Sequence, residues 1–274
     1  PINALEIFQE KNKSVNDLKV VKFYTSGSFL DPWELPYEIR DDLISKFDSM
    51  VEEIVVETRC EYVIKKHLDG LASIVNPSKV IVAIGQETTN DEINKRANNK
   101  GHTLRQFQRA VKLLKEYGFR TKGYILLKPI FVSEYLATAD AIKTAKQMKE
   151  AGVDGISINP CYIGKGTLMD KLFKKGTYTP PWLWTVLDVT REIKQLMGQE
   201  IIVISDPVAA GKERGPRNCG ACDDKIRDAL KLFSGSQQLE YLDHLDCSCR
   251  PIYENSIMAE CLSNGMGIFG YGNH

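Results

Sequence analysis

The sequence predicts an α/β protein built on a parallel sheet, and three observations carry that expectation. Short β-forming runs recur, each ending in polar residues; segments with a helical apolar stripe lie between them; and a glycine follows each stripe where a helix can stop.

The first run, Val20-Val21-Lys22-Phe23-Tyr24, passes into a small hydroxyl-rich turn, Thr25-Ser26-Gly27-Ser28. Further runs follow at residues 54–59, 80–87, 122–128 and 155–160, ending in Glu57-Thr58-Arg59, Gln86-Glu87, Lys128 and Asn159-Pro160. Between the third and fourth, Leu104, Phe107, Val111 and Leu114 share one helical face, and Gly118 follows. Between the fourth and fifth, Leu136, Ala139, Ile142, Ala145 and Met148 repeat the device, with Gly152 behind them. Alternating strand and helix calls for right-handed crossovers in a parallel sheet, open and doubly wound or curled into a barrel. In either form a site forms at the carboxyl ends of the strands, so five polar strand ends point to one shared site.

Composition fits a chain able to bury a large core: 274 residues, 43% hydrophobic, with 36 basic and 36 acidic side chains. No run of about 18 apolar residues exists, and the amino terminus lacks a secretory layout, which together predict a cytoplasmic protein without a membrane span. Zero net charge neither favours nor excludes nucleic acid, because binding needs only a local basic face.

Seven cysteines in such a chain are unlike a disulfide framework. Cys60, Cys161 and Cys261 stand apart and read as small buried hydrophobes. Cys219-Gly220-Ala221-Cys222 and Cys247-Ser248-Cys249 form two close pairs flanking a helix-like stretch at Ile226, Ala229, Leu230 and Phe233. Such pairs can converge as four thiolates on one metal. Zinc is the favoured occupant, an iron-sulfur cluster takes the same ligands, and free or redox-active thiols are the plain alternative. His244 offers a substitute ligand.

The order of these motifs resembles a known family. Residues 24–31, Glu57-Thr58-Arg59, Gln86-Glu87 and Asn98-Asn99-Lys100-Gly101-His102-Thr103 resemble radical S-adenosylmethionine (SAM) enzymes of the group related to the Elongator catalytic subunit. Lys128-Pro129, Asn159-Pro160-Cys161, residues 166–168 and Pro180-Pro181-Trp182-Leu183-Trp184 are more particular, and are similar to the archaeal radical SAM proteins that work with archaeosine synthase in tRNA modification. The resemblance implies a partial (β/α)6 TIM-like barrel over residues 1–198 and a small cysteine-rich extension over residues 199–274. Those enzymes hold a [4Fe-4S] cluster with a C-x3-C-x2-C triplet after the first barrel strand. No such triplet occurs in this sequence, so the resemblance implies that the first strand and its cluster loop are missing from it. Five core strands are then expected, with the run at residues 201–205 in the extension.

The same resemblance implies SAM as cofactor, contacted by Thr25, Ser26, Gly27, Ser28, Glu57, Arg59, Gln86, Glu87, Lys128 and Asn159. Taken singly, the turn is also an ordinary tight turn, and Glu57 and Arg59, on one face of a strand, can simply pair. The implied chemistry is reductive cleavage of SAM and hydrogen abstraction from a lysine adduct on a 7-deazaguanine of tRNA, ending in carbon–nitrogen cleavage. Lys171, Lys174, Lys175, Lys212, Arg214 and Arg217 are the nominated phosphate contacts. Trp182 and Trp184 can stack on a base or pack a core edge. The alternatives are a different Elongator-like or methylthiolating radical SAM tRNA enzyme, or a cluster-free barrel that binds RNA or a protein partner.

Overall fold

The structure, a computed structural model, describes residues 19–24 and 27–263; Thr25 and Ser26 of the strand-end turn lie outside them. Six strands occur among the described residues: β1 (Val20–Phe23), β2 (Glu53–Thr58), β3 (Val80–Glu87), β4 (Arg120–Leu127), β5 (Gly155–Pro160) and β6 (Ile202–Ile204). Their order in the sheet is the order of the chain, and the β1–β2, β2–β3 and β5–β6 pairings are parallel. Helices α1 (Tyr37–Asp48), α2 (Lys65–Ala72), α3 (Asp91–Arg96), α4 (Leu104–Glu116), α5 (Glu134–Ala151), α6 (Leu168–Lys174) and α7 (Leu183–Met197) fill the crossovers, and α8 (Asp223–Ser236) and α9 (Arg250–Leu262) follow β6. This is the α/β class expected, of the partial (β/α)6 type.

The five-strand count needs correction. The run assigned to the carboxyl-terminal extension pairs in parallel with β5, Gly155 opposite Ile202 and Ser157 opposite Ile204. Only three residues long, β6 carries too little alternation for its sheet membership to be read from pattern.

Contacts divide the chain into two compact units, the first ending at Gly85 and including Arg105–Lys122, the second made of Gln86–Leu104 and the chain from Gly123 onward. In the first unit Ile54, Val56, Val80, Val82 and Ile84 alternate into the core beside the buried faces of three helices, Ile44 and Phe47, Leu68 and Leu71, and Phe107, Val111 and Leu114. Each such side chain contributes about 1.5–3 kcal/mol of hydrophobic stabilisation. The other strand face is charged: Arg120 pairs with Glu53, and Lys122 is pulled down to about 8 by burial and by the like charge of Lys22, against the opposing Glu57.

In the second unit α5 starts at a Ser133 cap, whose Oγ accepts from the Leu136 N–H at 3.3 Å, and stops at Gly152, whose φ of 90° is the left-handed conformation glycine adopts without a steric penalty. Its buried face is Leu136, Ala137, Ala141, Thr144, Ala145 and Met148; the expected Ala139 and Ile142 sit at its margin. Met148 packs on the strand because Gly123 has no side chain: a Cβ there would lie 2.6 Å from the Met148 sulfur. Helix α7 is buried nearly all round, from Leu183 and Trp184 to Met197.

One buried acid on α5 sets a pH dependence. Asp140 accepts from the Thr88 hydroxyl at 2.9 Å, and burial pushes its carboxyl up to about 6 against the opposing effects of Thr88 and Lys143. A folded-state pKa above the unfolded value favours the folded state at low pH, and that contribution is lost as pH rises from about 4 through about 6. Asp140→Asn keeps an acceptor for Thr88 and removes the titration. It is expected to be more stable than the parent at pH 8 by up to about 3 kcal/mol. Urea unfolding of both proteins at pH 4 and pH 8 checks this; an equal pH dependence in the variant contradicts it.

Candidate metal centre and strand-end sites

The two cysteine pairs converge. The sulfurs of Cys219, Cys222, Cys247 and Cys249 all lie within 4.8 Å of one another, with separations of 3.9 Å (Cys219 to Cys222), 3.7 Å (Cys219 to Cys247) and 3.7 Å (Cys222 to Cys249). A tetrahedron with metal–sulfur bonds of about 2.3 Å has edges of about 3.8 Å, so the spacing suits one metal ion. His244 is exposed and outside the group.

Local structure explains the convergence. Gly220, at φ 90°, turns the chain between the first pair, and the Asp223 carboxylate accepts from the Asn218 and Gly220 N–H groups at 3.0 and 3.3 Å, closing a knuckle. Cys222 and Cys249 are the N-caps of α8 and α9, which places the positive ends of two helix dipoles at the sulfurs. Asn218 Nδ2 donates to Cys222 Sγ at 3.4 Å and Trp184 Nε1 to Cys249 Sγ at 3.3 Å. Burial pushes the Cys222 thiol up to about 12, while the Cys249 N–H and the Cys219 thiol bring Cys247 down to about 7. Of the remaining cysteines, Cys60 and Cys161 are buried as expected, Cys161 in a cluster with Ile130, Ile163 and Tyr178. Cys261 is a correction: it lies on the exposed face of α9.

Trp184 and Tyr253 tie this centre to the end of β4. Trp184 is fully buried and Trp182 stacks obliquely on Tyr253 at 5.9 Å, so both tryptophans pack a core edge. The next residue, Thr185, lies 3.4 Å from the Tyr253 hydroxyl and donates to Glu134 Oε1 at 2.5 Å. Glu134 Oε1 also accepts from the Trp182 N–H at 2.9 Å, and Oε2 pairs with Lys128 Nζ at 2.6 Å. Lys128 and Glu134 expose only 9% and 3% of their side chains. The strand-end lysine is therefore held by a buried partner six residues on, which the sequence reading missed.

In the first unit the turn after β1 docks on the end of β2. Ser28 Oγ and Thr58 Oγ1 are 2.5 Å apart, the Arg59 N–H donates to Ser28 Oγ at 3.3 Å, and the Ser28 N–H donates to Glu34 Oε2 at 2.5 Å. A Cβ on Gly27 would meet that carboxylate at 1.4 Å, so the glycine opens a backbone cradle that here receives a carboxylate. The Glu57–Arg59 pair does not form. Arg59 Nη2 instead donates to the Tyr62 hydroxyl at 2.9 Å, and the guanidinium lies within 4.0 Å of Asp31, Glu34 and Glu61. The Tyr62 hydroxyl, more than Arg59, holds the Asp31 carboxyl below its usual range.

In the second unit Gln86 is fully buried, with Nε2 donating to the Thr88 carbonyl at 2.8 Å, and strand alternation turns it away from the face that carries Glu87. Asn159 stays on the open face, accepting from Ser157 Oγ at 3.1 Å. Glu87, at φ 66°, pairs with Lys100 at 3.1 Å on the wall of a cavity of about 330 Å³.

The two basic clusters meet on one acid. Asp170, buried in the first turn of α6, accepts from the Gly166 N–H at 3.0 Å, Lys174 Nζ at 2.9 Å and Arg214 Nη1 and Nη2 at 2.9 and 2.5 Å. Lys174 and Arg214 are thus anchored, while Lys171, Lys175, Lys212 and Arg217 remain exposed beside them. The signal for Asp170 was readable: Thr167 lies three residues before it, and its hydroxyl caps the helix by accepting from the Asp170 N–H at 3.1 Å.

Comparison with known proteins places this geometry in a family. The sequence model of the radical SAM superfamily matches residues 8–142. The archaeosine synthase subunit beta of Methanosarcina acetivorans is 38% identical over 91% of this chain and 72% of its own length, and that of Thermococcus kodakarensis is 39% identical over 92% and 78%. The chain belongs to the radical SAM superfamily, in the family of those archaeosine synthase beta subunits. Among solved structures, the amino-terminally truncated Elp3 of Methanocaldococcus infernus superposes with a TM-score of 0.63 at 17% identity, over 90% of this chain and 59% of that one, and methylornithine synthase with 0.51 at 15%, over 73% and 54%. Those likenesses show the fold.

The family implies a catalytic [4Fe-4S] cluster as well as SAM. None of the seven cysteines has the required triplet spacing, so the residues of this sequence do not fit that cluster.

Proposed function

We propose that this chain is the SAM-binding component of a tRNA-modifying enzyme, acting on a lysine adduct of a 7-deazaguanine to break a carbon–nitrogen bond in archaeosine formation. The observation that carries the reading is the 38–39% identity to two archaeosine synthase beta subunits along more than nine tenths of the chain. Bound SAM would supply the hydrogen-abstracting chemistry. The chain's own residues position the reactants. In the first unit the Gly27–Ser28 turn offers backbone N–H to the cofactor's amino-acid end, with Glu57 and Arg59 at the neighbouring strand end; in the second unit Glu87, Lys128 and Asn159 are the nominated strand-end contacts. Lys128 acts with Glu134 as a fixed ion pair, and Gln86 supports the strand from the core side.

The cysteine tetrad holds one zinc ion as a structural centre, the two helix N-termini offsetting the charge of four thiolates. Transfer RNA docks by its phosphates on the surface of Lys174, Lys175, Lys212, Arg214 and Arg217, which Asp170 organises, together with Lys171. The partner is archaeosine synthase. No described helix is long and apolar enough to cross a membrane.

The test is tRNA binding as a function of salt. Each phosphate contact contributes roughly 0.7–0.9 to the slope of log K against log salt. Replacing the exposed Lys171 and Lys175 by glutamine is expected to flatten that slope by about 1–2 and to weaken binding at low salt. An unchanged slope places the RNA elsewhere.

A further inference from the structure

Packing takes up both tryptophans that the sequence offers for stacking on a base: Trp184 is fully buried and Trp182 lies against Tyr253. A different aromatic side chain is left open. Tyr162, just past the end of β5, is 51% exposed, more than any other aromatic residue described in the second unit. Neither its hydroxyl nor its ring has a hydrogen-bond or ring partner among the described residues. Its neighbours in the chain are fixed. Cys161 and Ile163 are 4% and 2% exposed and belong to one core cluster with Ile130 and Tyr178. The Cys161 N–H donates to the Leu127 carbonyl at 3.0 Å, and the Ile163 N–H to the Arg214 carbonyl at 2.7 Å. Burial alternates in, out, in, so the pinned neighbours hold the ring outward. A tyrosine on a fixed backbone has only two χ angles to order, so contact with it costs little conformational entropy.

The same bonds set the ring beside the basic surface. Arg214 Nη1 donates to the Ile163 carbonyl at 3.3 Å and to Asp170 at 2.9 Å, which joins the loops after β5 and β6 to the first turn of α6. Across residues 161–176 and 211–218 the exposed charged side chains are six cations, Lys165 among them, and one anion, Glu213. An open ring face amid excess positive charge complements single-stranded nucleic acid, which combines a phosphate backbone with bases whose faces are free. In a continuous RNA helix those faces are already stacked on one another.

We infer that Tyr162 is a stacking contact for an unpaired base of the RNA whose phosphates lie on the neighbouring lysines. This rests on the tRNA-modifying reading above, and adds to it a residue that distinguishes unpaired from paired nucleotides without reading base identity, since every base has a π-face. The lysines supply the salt-dependent part of the attraction, and the ring supplies a part that releases no counterions.

The test compares the 274-residue chain with its Tyr162→Ala and Tyr162→Phe variants in binding tRNA, a short single-stranded RNA and the duplex of the same sequence, each over a range of salt. Loss of one stacked base corresponds to roughly 5–150-fold in affinity. Tyr162→Ala is expected to weaken tRNA and the single strand by about tenfold or more. It should leave duplex affinity and the slope of log K against log salt unchanged, and the retained duplex binding reports that the variant is folded. Tyr162→Phe, which keeps the ring, is expected to bind as the parent does. Unchanged RNA affinity in Tyr162→Ala overturns the proposal and leaves the ring for a protein partner. A loss that Tyr162→Phe fails to recover also overturns it, by assigning the contact to the hydroxyl, as does an equal loss for single strand and duplex or a flattened salt slope. Salt-dependent tRNA binding that ignores Tyr162→Ala removes this contact alone, whereas no tRNA binding by the parent removes the reading on which it rests.

Discussion

Replacing Cys219 and Cys249 together by serine is expected to release the bound metal and lower stability in the same step. A centre built from two loops that meet only in the folded chain binds metal in the folded state alone, so its binding energy is folding energy. A site saturated a thousandfold over its dissociation constant contributes about 4 kcal/mol, and roughly 2–4 °C of melting temperature accompanies each kcal/mol in a chain of this size. The double variant is therefore expected to melt roughly 10 °C below the parent. A chelator should lower the parent to the same temperature and leave the variant unaffected. Full zinc content with an unchanged melting temperature contradicts the centre. The loss should also reach α7, because Trp184 donates to Cys249 Sγ and Arg250 stacks on its ring at 5.0 Å while pairing with Asp188 at 2.9 Å.

The second large effect is expected at Glu134. Removing this carboxylate leaves the Lys128 ammonium buried without its partner, and takes the acceptor from the Trp182 N–H and the Thr185 hydroxyl. Breaking a buried pair in this way costs about 3–5 kcal/mol. Glu134→Leu should lie in that range by urea unfolding, and Glu134→Leu with Lys128→Met should recover part of it, since two apolar side chains leave no buried charge. A double-mutant cycle reads the coupling. A single-variant loss below about 1 kcal/mol, or strictly additive losses, shows that the pair is not the buried hub described here.

Much of this was legible from residue pattern. The stripe at Phe107, Val111 and Leu114 was found because a helix with one buried face repeats every 3.6 residues. The cysteine pairs were found because thiolates two and three residues apart already fit adjacent corners of a tetrahedron. Other features were not written locally. Gln86 and Glu87 look alike as strand-end polar residues, yet alternation buries one and opens the other, and the phase of that alternation is fixed only when β3 enters the sheet. Arg59 could be paired with Glu57 from spacing alone, but Asp31 and Glu34, brought in by the turn after β1, and Tyr62, three residues further along the chain, compete for it and win. Glu134 carried no motif, because its partner was chosen by the turn between β4 and α5. The basic clusters at residues 171–175 and 212–217 were visible separately, while the acid that joins them became evident only in three dimensions.

The most direct test of the account is ultraviolet cross-linking of tRNA to this chain, with mass spectrometry of the linked peptides. The account expects cross-links concentrated in residues 168–175 and 212–217, reduced when Lys171 and Lys175 are replaced by glutamine. Cross-links confined to other surfaces, or no tRNA bound at about 0.1 M salt, contradict it.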